Sequence, residues 1–545
     1  MSTAEPPVHT IVLEGKRRWG ALIALALGVA MIILDATVVN VAIPTIVKDL
    51  NLTTNDAEWI TAAYSLVFAS LLILSGRLAD RFGRRLIFII GVFTFVAASV
   101  LVAASGNAVE LIGARALQGL GGALMLPSSL SIINAVFVGK ARAAAFAVWG
   151  ATIGGMAALG PLVGGWLTTY ASWHWAFLIN LPIGILVLVG VFAFVPETKD
   201  TSSVSGTDVP GILLSTLGLL GVVFALIEGQ RYGWFMSNAP FKLFGMTWDG
   251  GLSPAFVAGA AGLICLIALY VVEKRRLQAG RAVVFDLNLF KIRSFGAGNA
   301  VALIVSLGEF GLLFALPLFL QSVRGYDALQ TGVILLALAL GSFVASGAGA
   351  ALAQRVGPVR VLQIGMGLEA IGIIGLGFMI STTVTGWALA PWLFCYGMGV
   401  GFATAQLTGV ILSEVPVAQS GQASAMQSTA RQVGAAIGTA ILGTTLLIGL
   451  GINVANQLQD RGVPSAAADQ ITQVVQSSAG TAIPSLASQP DGQALVEGAS
   501  QGFADATTWV AWTAAFFVLL GLLTTFLLPR NAARVKAEGY DAPGE

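Results

Sequence analysis

The sequence predicts an all-α polytopic membrane protein, and three observations predict it. The 545-residue chain is 56% hydrophobic and only 10% charged. A soluble domain carries about 25% charged residues, and no aqueous core could bury so much apolar surface. The apolar residues fall into runs long enough to cross ~30 Å of hydrocarbon, which takes about 20 helical residues each. The basic residues sit between those runs in a one-sided, alternating pattern. The net charge of +1 says nothing about partners.

Fourteen runs have the required length: 20–44, 57–76, 86–105, 109–135, 143–168, 175–195, 208–228, 254–273, 295–320, 328–350, 360–381, 386–413, 424–450 and 507–529. With the N-terminus placed in the cytoplasm, the predicted cytoplasmic segments hold 21 of the 28 basic residues. The outside loops hold five: Lys48, Arg231, Lys242, Arg324 and Arg461. Arg115 and Arg431 lie inside spans. The excess of Lys and Arg on one side puts both termini in the cytoplasm and requires an even number of spans. Residues 1–18 end in Lys16-Arg17-Arg18, and the apolar run that follows is too long for a signal core, so no cleaved signal is expected.

Other classes lack their residues. Cys265 and Cys395 both lie in apolar runs, and His9 and His174 are the only histidines. Neither a disulfide framework nor a metal site is expected. There is no Walker-type phosphate loop, and Gly397-Met398-Gly399-Val400-Gly401 lies too deep in an apolar run to hold a nucleotide. Two outside loops stand apart. Residues 229–253 carry Trp234, Phe235, Phe241 and Trp248, a composition suited to the membrane interface. Residues 451–506 read as a long, flexible extracellular loop with a short amphipathic helix near 465–477.

The chain contains a repeat. Leu78-Ala79-Asp80-Arg81-Phe82-Gly83 echoes Leu352-Ala353-Gln354-Arg355-Val356-Gly357 at an offset of 274, and Gly91 matches Gly365 at the same offset. That offset carries Asp35, the one acid of span 1, onto Glu309, the one acid of span 9. Gly119 and Gly121 match Gly397 and Gly399 at 278, a slip of four residues. The expected organisation is a cytoplasmic N-terminus (1–19), a six-helix bundle (20–195), two inserted helices with linkers (196–294), a second six-helix bundle (295–529) and a cytoplasmic tail (530–545). Duplicated halves are common in secondary transporters.

Charges inside the membrane cost ~2.5–3.5 kcal/mol each and mark function by default. Asp35 lies roughly 22 Å along span 1, at 1.5 Å per residue. Glu309 lies at a similar depth in span 9, and Arg115 of span 4 reaches the same half of the membrane as Asp35. A carboxyl group in such a place can take up and release a proton as a cavity opens and closes. Asp35, Arg115 and Glu309 are therefore the expected coupling residues; the competing reading is static ion pairs that fix helix packing. Glu369, in span 11, reads as structural. Arg431-Gln432 in span 13 is a further polar pair.

Gly76-Arg77-Leu78-Ala79-Asp80-Arg81-Phe82-Gly83-Arg84-Arg85 is the most specific motif. Gly76 and Gly83 are expected to allow a tight turn between spans 2 and 3. Asp80 is expected to face the positive end of span 3. Arg81, Arg84 and their neighbours offer exchangeable partners. Gly160-Pro161 with Gly164 and Gly165, in span 5, combines a helix-bending proline with small residues for close contact.

These residues resemble the major facilitator superfamily, and within it the 14-span drug:proton antiporters of the EmrB/QacA type, over nearly the whole chain. Leu34-Asp35-Ala36-Thr37-Val38-Val39-Asn40-Val41-Ala42-Ile43-Pro44 looks like that family's span-1 motif. The loop 2–3 sequence looks like the superfamily signature, a conformational latch. Arg115-Ala116-Leu117-Gln118-Gly119-Leu120-Gly121 is similar to the span-4 motif linked to proton transfer. Gly160-Pro161 and Gly164-Gly165 look like the end of the antiporter motif, whose earlier glycines are replaced by Ala147 and Met156. Trp173-His174-Trp175 departs from the usual Trp-Arg-Trp.

The resemblance implies a major facilitator fold arranged 6+2+6, in a bacterial inner membrane. It implies multidrug efflux driven by the proton motive force, with protons as the coupling ion and no cofactor. Thr37, Asn40, Tyr64, Gln118, Phe310, Phe314 and Gln321 are expected to line the substrate cavity. The substrate is expected to be a hydrophobic or amphipathic small molecule, handled by a monomer without nucleic acid. A dedicated exporter of an antibiotic, lipid or metabolite shares all these features, and a proton-coupled importer shares most. A scaffold or receptor needs no charges at matched depths. A membrane enzyme needs a catalytic cluster, and the sequence offers none.

Overall fold

The computed structural model describes residues 15–52, 54–199, 208–243 and 246–529. The expected tail 530–545 and most of the expected N-terminal segment 1–19 lie outside the described residues. The helices in chain order are α1 (Gly15–Asp49), α2 (Thr54–Phe82), α3 (Arg84–Ala104), α4 (Ala108–Val136), α5 (Gly139–Tyr170), α6 (Trp173–Leu178), α7 (Asn180–Phe194) and α8 (Val209–Tyr232). They continue with α9 (Pro254–Gln278), α10 (Arg293–Ser322), α11 (Ala328–Val356), α12 (Pro358–Met379), α13 (Gly386–Ile411), α14 (Ser420–Gln459), α15 (Ser465–Ser477) and α16 (Gly492–Thr524).

Among the described residues, twelve helices are long and apolar enough to cross a membrane. The number is thirteen if α5, bent by 42° between Ala141–Ala157 and Leu159–Tyr170, is one span. The bend falls beside Pro161, whose ring and missing N–H interrupt the helical ladder. The expected fourteen is not reached by this criterion. The remaining expected span coincides with α10, a 30-residue helix that includes side chains outside those described.

Burial separates inner from outer helices. Every side chain of α4 from Gly121 to Val136 is buried. On α9, by contrast, Leu263, Ile264 and Ile267 are all more than half exposed. Phe93, Val189, Phe378 and Phe516 are exposed in the same way, and such large apolar side chains suit only a hydrocarbon solvent.

The packing repeats. α1 lies on α5 and α7, and α10 lies on α14 and α16. α4 lies on α2 and α3, and α13 lies on α11 and α12. A Cβ on Gly121 of α4 would come within 2.7 Å of the Phe95 nitrogen on α3. One on Gly399 of α13 would crowd the Glu369 backbone on α12, with 2.6 Å to its Cβ. These two crossings also join Gly91 to Gly121 and Gly365 to Gly399, four of the glycines matched by the repeat. The two sets of helices meet along α5–α11 and α2–α14. The pair α8–α9 packs on itself and on α2 and α14. Trp59 of α2 stacks on Phe224 of α8 at 6.3 Å, and Gln230 Nε2 donates to the Ala440 carbonyl of α14 (2.7 Å).

Segments expected to share a side meet at one end. Arg84 N donates to the Thr198 carbonyl after α7, and Gln419 Nε2, before α14, donates to Asp286 Oδ2, before α10. At the opposite end Trp173 Nε1 donates to Asp49 Oδ2 (2.8 Å), and Arg324 bonds the Thr382 carbonyl.

Two expected loops are structured, and the second is thereby corrected. Residues 229–253 hold a two-stranded hairpin, β1 (Phe241–Leu243) with β2 (Met246–Trp248). Phe241 packs edge-on to Tyr232 and Phe224, while Trp234, Phe235 and Trp248 remain exposed. Residues 451–506 are not a flexible loop. α14 extends to Gln459, α15 occupies the expected amphipathic stretch, and a 3-10 turn (Ile483–Ser488) leads into α16. Ala468, Thr472, Val475, Ile483 and Leu486 are buried, so the region holds itself together by apolar packing.

Candidate functional site

Asp35 of α1 is 1% exposed and accepts three side-chain hydrogen bonds. Arg115 Nη1 of α4 donates to Oδ2 (2.6 Å). Gln118 Nε2, one turn on, donates to Oδ1 (3.0 Å), and so does Asn180 Nδ2 from the first residue of α7 (2.9 Å). Ser99 Oγ of α3 accepts from both amides, at 2.8 and 3.1 Å. Arg115 also donates to the Ile60 carbonyl (3.2 Å) and to Gln118 Oε1 (2.7 Å). Its guanidinium lies 4.4 Å from the Tyr64 ring centroid, a cation–π contact. The i, i+3 spacing of Arg115 and Gln118 puts both on one face of α4. The break between α6 and α7 at Ile179 turns Asn180 inward. A carboxylate bonded this fully is stable away from water, and removing one partner of such a pair costs ~3–5 kcal/mol.

The second acid is held differently. Glu309 of α10 is 3% exposed and takes one bond, from Arg431 Nη2 of α14 (3.2 Å). Glu309 Oε1 and Arg431 Nη1 are buried with no partner among the described residues. Tyr396 of α13 donates its hydroxyl to the Glu309 backbone carbonyl (2.7 Å). Tyr396 matches Gln118 at the 278 offset. The arginine has moved, from α4 in one set to α14, the counterpart of α5, in the other.

The latch motif is distributed otherwise than expected. Asp80 ends α2 and does not face the start of α3. It accepts from the backbone N–H groups of Gly421 and Gln422 at the start of α14, both at 2.9 Å. Charge and helix end are thus matched across the two sets of helices. Arg84 Nη2 donates to Asp80 Oδ1 (2.9 Å) and to the Val417 carbonyl (2.7 Å). The start of α3 is taken instead by Glu197, which accepts from Arg85 N (3.1 Å) and Leu86 N (3.0 Å). Gly83 makes the turn, with φ +120°. Gly76 makes no turn; it lies within α2, where a Cβ would strike Ala425 and the Gly421 carbonyl. The Arg81 guanidinium lies 5.3 Å from the Phe82 ring. Asn134 Nδ2 of α4 donates to Ser420 Oγ (2.8 Å), a further tie at this end.

The span-5 motif sets α5 against α1. A Cβ on Gly160 would run into Thr37, two residues past Asp35, and one on Gly164 would meet the Val38 carbonyl at 3.0 Å. Gly165 is buried, and Pro161 lies beside the bend. Gly434 and Gly438 of α14 approach α10 at Leu303 and Leu307 in the same manner.

Of the expected cavity residues, Tyr64 and Gln118 are buried in the Asp35 network and line no open surface. Thr37 is half-buried and donates back to the Ile33 and Leu34 carbonyls of its own helix. Gln321 is exposed near the end of α10. The side chains of Asn40, Phe310 and Phe314 lie outside those described. Ser99, Asn180, Glu197 and Tyr396 were not singled out from the sequence. Ser99 and Asn180 are polar residues within long apolar runs, and that signal was available.

The Major Facilitator Superfamily model matches residues 25–439. The chain is 35% identical to the probable actinorhodin transporter of Streptomyces coelicolor, over 82% of this chain and 75% of that one. It is 34% identical to the multidrug efflux pump LfrA of Mycolicibacterium smegmatis, over 82% and 84%. The solved proton:xylose symporter XylE shares the fold, with a TM-score of 0.58 at 15% identity over 95% of this chain and 97% of that one.

Proposed function

Because this chain belongs to the major facilitator superfamily, we propose that it is a proton-coupled exporter of hydrophobic or amphipathic small molecules. It is a transporter rather than an enzyme, works as a monomer by alternating access, and sits in a bacterial cell membrane. The end carrying Asp80 and Arg84 faces the cytoplasm, with both termini on that side, as the distribution of Lys and Arg requires.

The observation that carries this reading is the buried Asp35–Arg115 pair and its location. Asp35 lies next to the α1–α5 contact at Thr37 and Gly160, so its bonding state bears on how α1 seats against α5. A proton arriving from the outer side neutralises Asp35 and removes the charge that holds Arg115. The pair can then separate without leaving an unpaired buried carboxylate, and Arg115 keeps the Ile60 carbonyl, Gln118 Oε1 and the Tyr64 ring as its partners. The two six-helix sets rock about the latch, and substrate is released outward. Glu309 and Arg431 supply a second, looser pair in the other set.

The test is proton exchange in everted membrane vesicles energised by ATP, with a fluorescent pH probe and a panel of antibiotics and lipophilic dyes. A transported compound should partly collapse the pH gradient, and Asp35→Asn should abolish that response while compound binding persists. Undiminished uphill export by Asp35→Asn overturns the coupling role. A response to a single compound in the panel favours the dedicated exporter, a reading kept open by the likeness to the probable actinorhodin transporter.

A further inference from the structure

The two buried acid sites differ in charge balance. The first holds one carboxyl group and one arginine, and every oxygen of Asp35 is bonded. The second holds two carboxyl groups and one arginine. Glu369 of α12 is 0% exposed, and both its carboxyl oxygens lack a partner among the described residues. Tyr396 ties it to the Glu309 site: the Tyr396 backbone backs onto Gly372, one turn along α12 from Glu369, and its hydroxyl reaches the Glu309 carbonyl. Gly399 of α13 backs onto the Glu369 Cα, so the α12–α13 crossing leaves no room for water beside its backbone. The corresponding crossing in the first set carries Phe95.

The groups facing this site are few. α13 presents Tyr396, whose hydroxyl is committed to the Glu309 carbonyl, Cys395, whose Sγ lies 3.4 Å from the Leu368 carbonyl, and the buried hydroxyl of Thr404 beside the Glu309 carboxyl group. α10 presents Glu309 and α14 presents Arg431. α16 packs against α12, but its Asp505 is engaged by Gln457 and Gln501 toward the other end of the bundle, where Gln501 lies 3.5 Å from Thr382. α11 offers Arg355 only in its last turn. One guanidinium therefore serves two buried carboxyl groups. Two anions against one cation would leave a net buried charge, which costs several kcal/mol. Two like carboxyl groups in one site do not ionise together.

We propose that Glu369 and Glu309 form a proton-binding pair, in which Glu369 holds the proton while Arg431 pairs with Glu309. In the alternate state Arg431 turns its unbonded Nη1 toward Glu369. The proton then passes to Glu309, and the negative charge passes to Glu369. The cluster keeps one proton, one carboxylate and one guanidinium throughout, and releases the proton only when a cation takes its place. This deepens the proton-coupled reading above and rests on it for its use in transport.

The experiment reads protonation without transport, so its failure leaves the exporter reading standing, and failure of the vesicle assay leaves this one standing. Infrared spectra of the full-length protein in lipid, taken in H2O and in D2O, report the C=O stretch of protonated carboxyl groups. At neutral pH, Glu369→Gln should lose one carboxyl's share of that band relative to wild type. Glu309→Gln should lose a share as well, because Arg431 is then free to ionise Glu369. Arg431→Met should gain a share, because both acids then hold protons; this variant keeps both carboxyl groups if Glu369→Gln does not fold. An unchanged band in Glu369→Gln overturns the proposal. A band lost in Glu369→Gln but kept in Glu309→Gln overturns the exchange over Arg431.

Discussion

Asp80, in the last turn of α2, accepts the Gly421 N–H at the start of α14 at 2.9 Å, joining the two six-helix sets through a helix end. The carboxylate also holds Arg84, itself 1% exposed, so one side chain keeps three buried groups satisfied. Asp80→Ala leaves two N–H groups without their acceptor and the guanidinium without its counter-charge, with only backbone carbonyls as partners. The expected loss is ~3–5 kcal/mol from the broken buried pair. In spectroscopic distance measurements between labels near residues 78 and 424, the variant should populate a separated state that the wild type does not. Asp80→Asn keeps one acceptor oxygen and should fall between the two. A wild-type distance distribution in Asp80→Ala would show that the latch is not held here.

Gly160 is predicted to be intolerant, and a nearby glycine supplies the control. A methyl group at Gly160 overlaps Thr37, whereas one at Gly155 meets nothing within 4 Å. Overpacking of this kind costs ~1–3 kcal/mol. Gly160→Ala should lower the melting temperature in detergent and slow export, while Gly155→Ala should do neither. Adding Thr37→Ala to Gly160→Ala should recover part of the loss, because it removes one of the two colliding groups. Equal effects of the two glycine variants would sink the assignment.

Asn180 and Ser99 are predicted to act through Asp35. Removing a hydrogen bond to a charged group costs ~1.5–3 kcal/mol. Asn180→Ala should reduce gradient-driven export several-fold while downhill exchange of the same compound is retained, a split that general unfolding does not produce. Ser99→Ala leaves Gln118 and Asn180 bonded to Asp35 and should have the smaller effect. If both variants match wild type in export, the network beyond Arg115 has no part in coupling.

Much of this was legible in the sequence because membrane physics leaves few options. Long apolar runs had to be helices, and the acids Asp35 and Glu309 stood out because nothing apolar explains them. The repeat was legible too: of the glycines paired at offsets 274 and 278, Gly91 and Gly121 lie where α4 meets α3, and Gly365 and Gly399 lie where α13 meets α12. What escaped was partnership. Asp80 was assigned to the nearest helix start in sequence, but Glu197 already occupies α3, and the free N–H groups belonged to α14, more than three hundred residues on. The segment 451–506 read as flexible because its composition is polar, yet five spaced residues, Ala468 to Leu486, suffice to fold it onto the ends of α14 and α16. Tyr64 and Gln118 read as cavity wall because polarity within a span suggests a substrate. In the structure both are buried against Arg115, and Gln118 also bonds Asp35.

The hairpin α8–α9 makes the molecule lopsided. It lies over the α2–α14 seam, while among the described residues no helix outside the two six-helix sets packs over the α5–α11 seam. The α2–α14 flank is thereby screened from the surrounding lipid by two extra helices, while the helices of the α5–α11 flank face the lipid themselves.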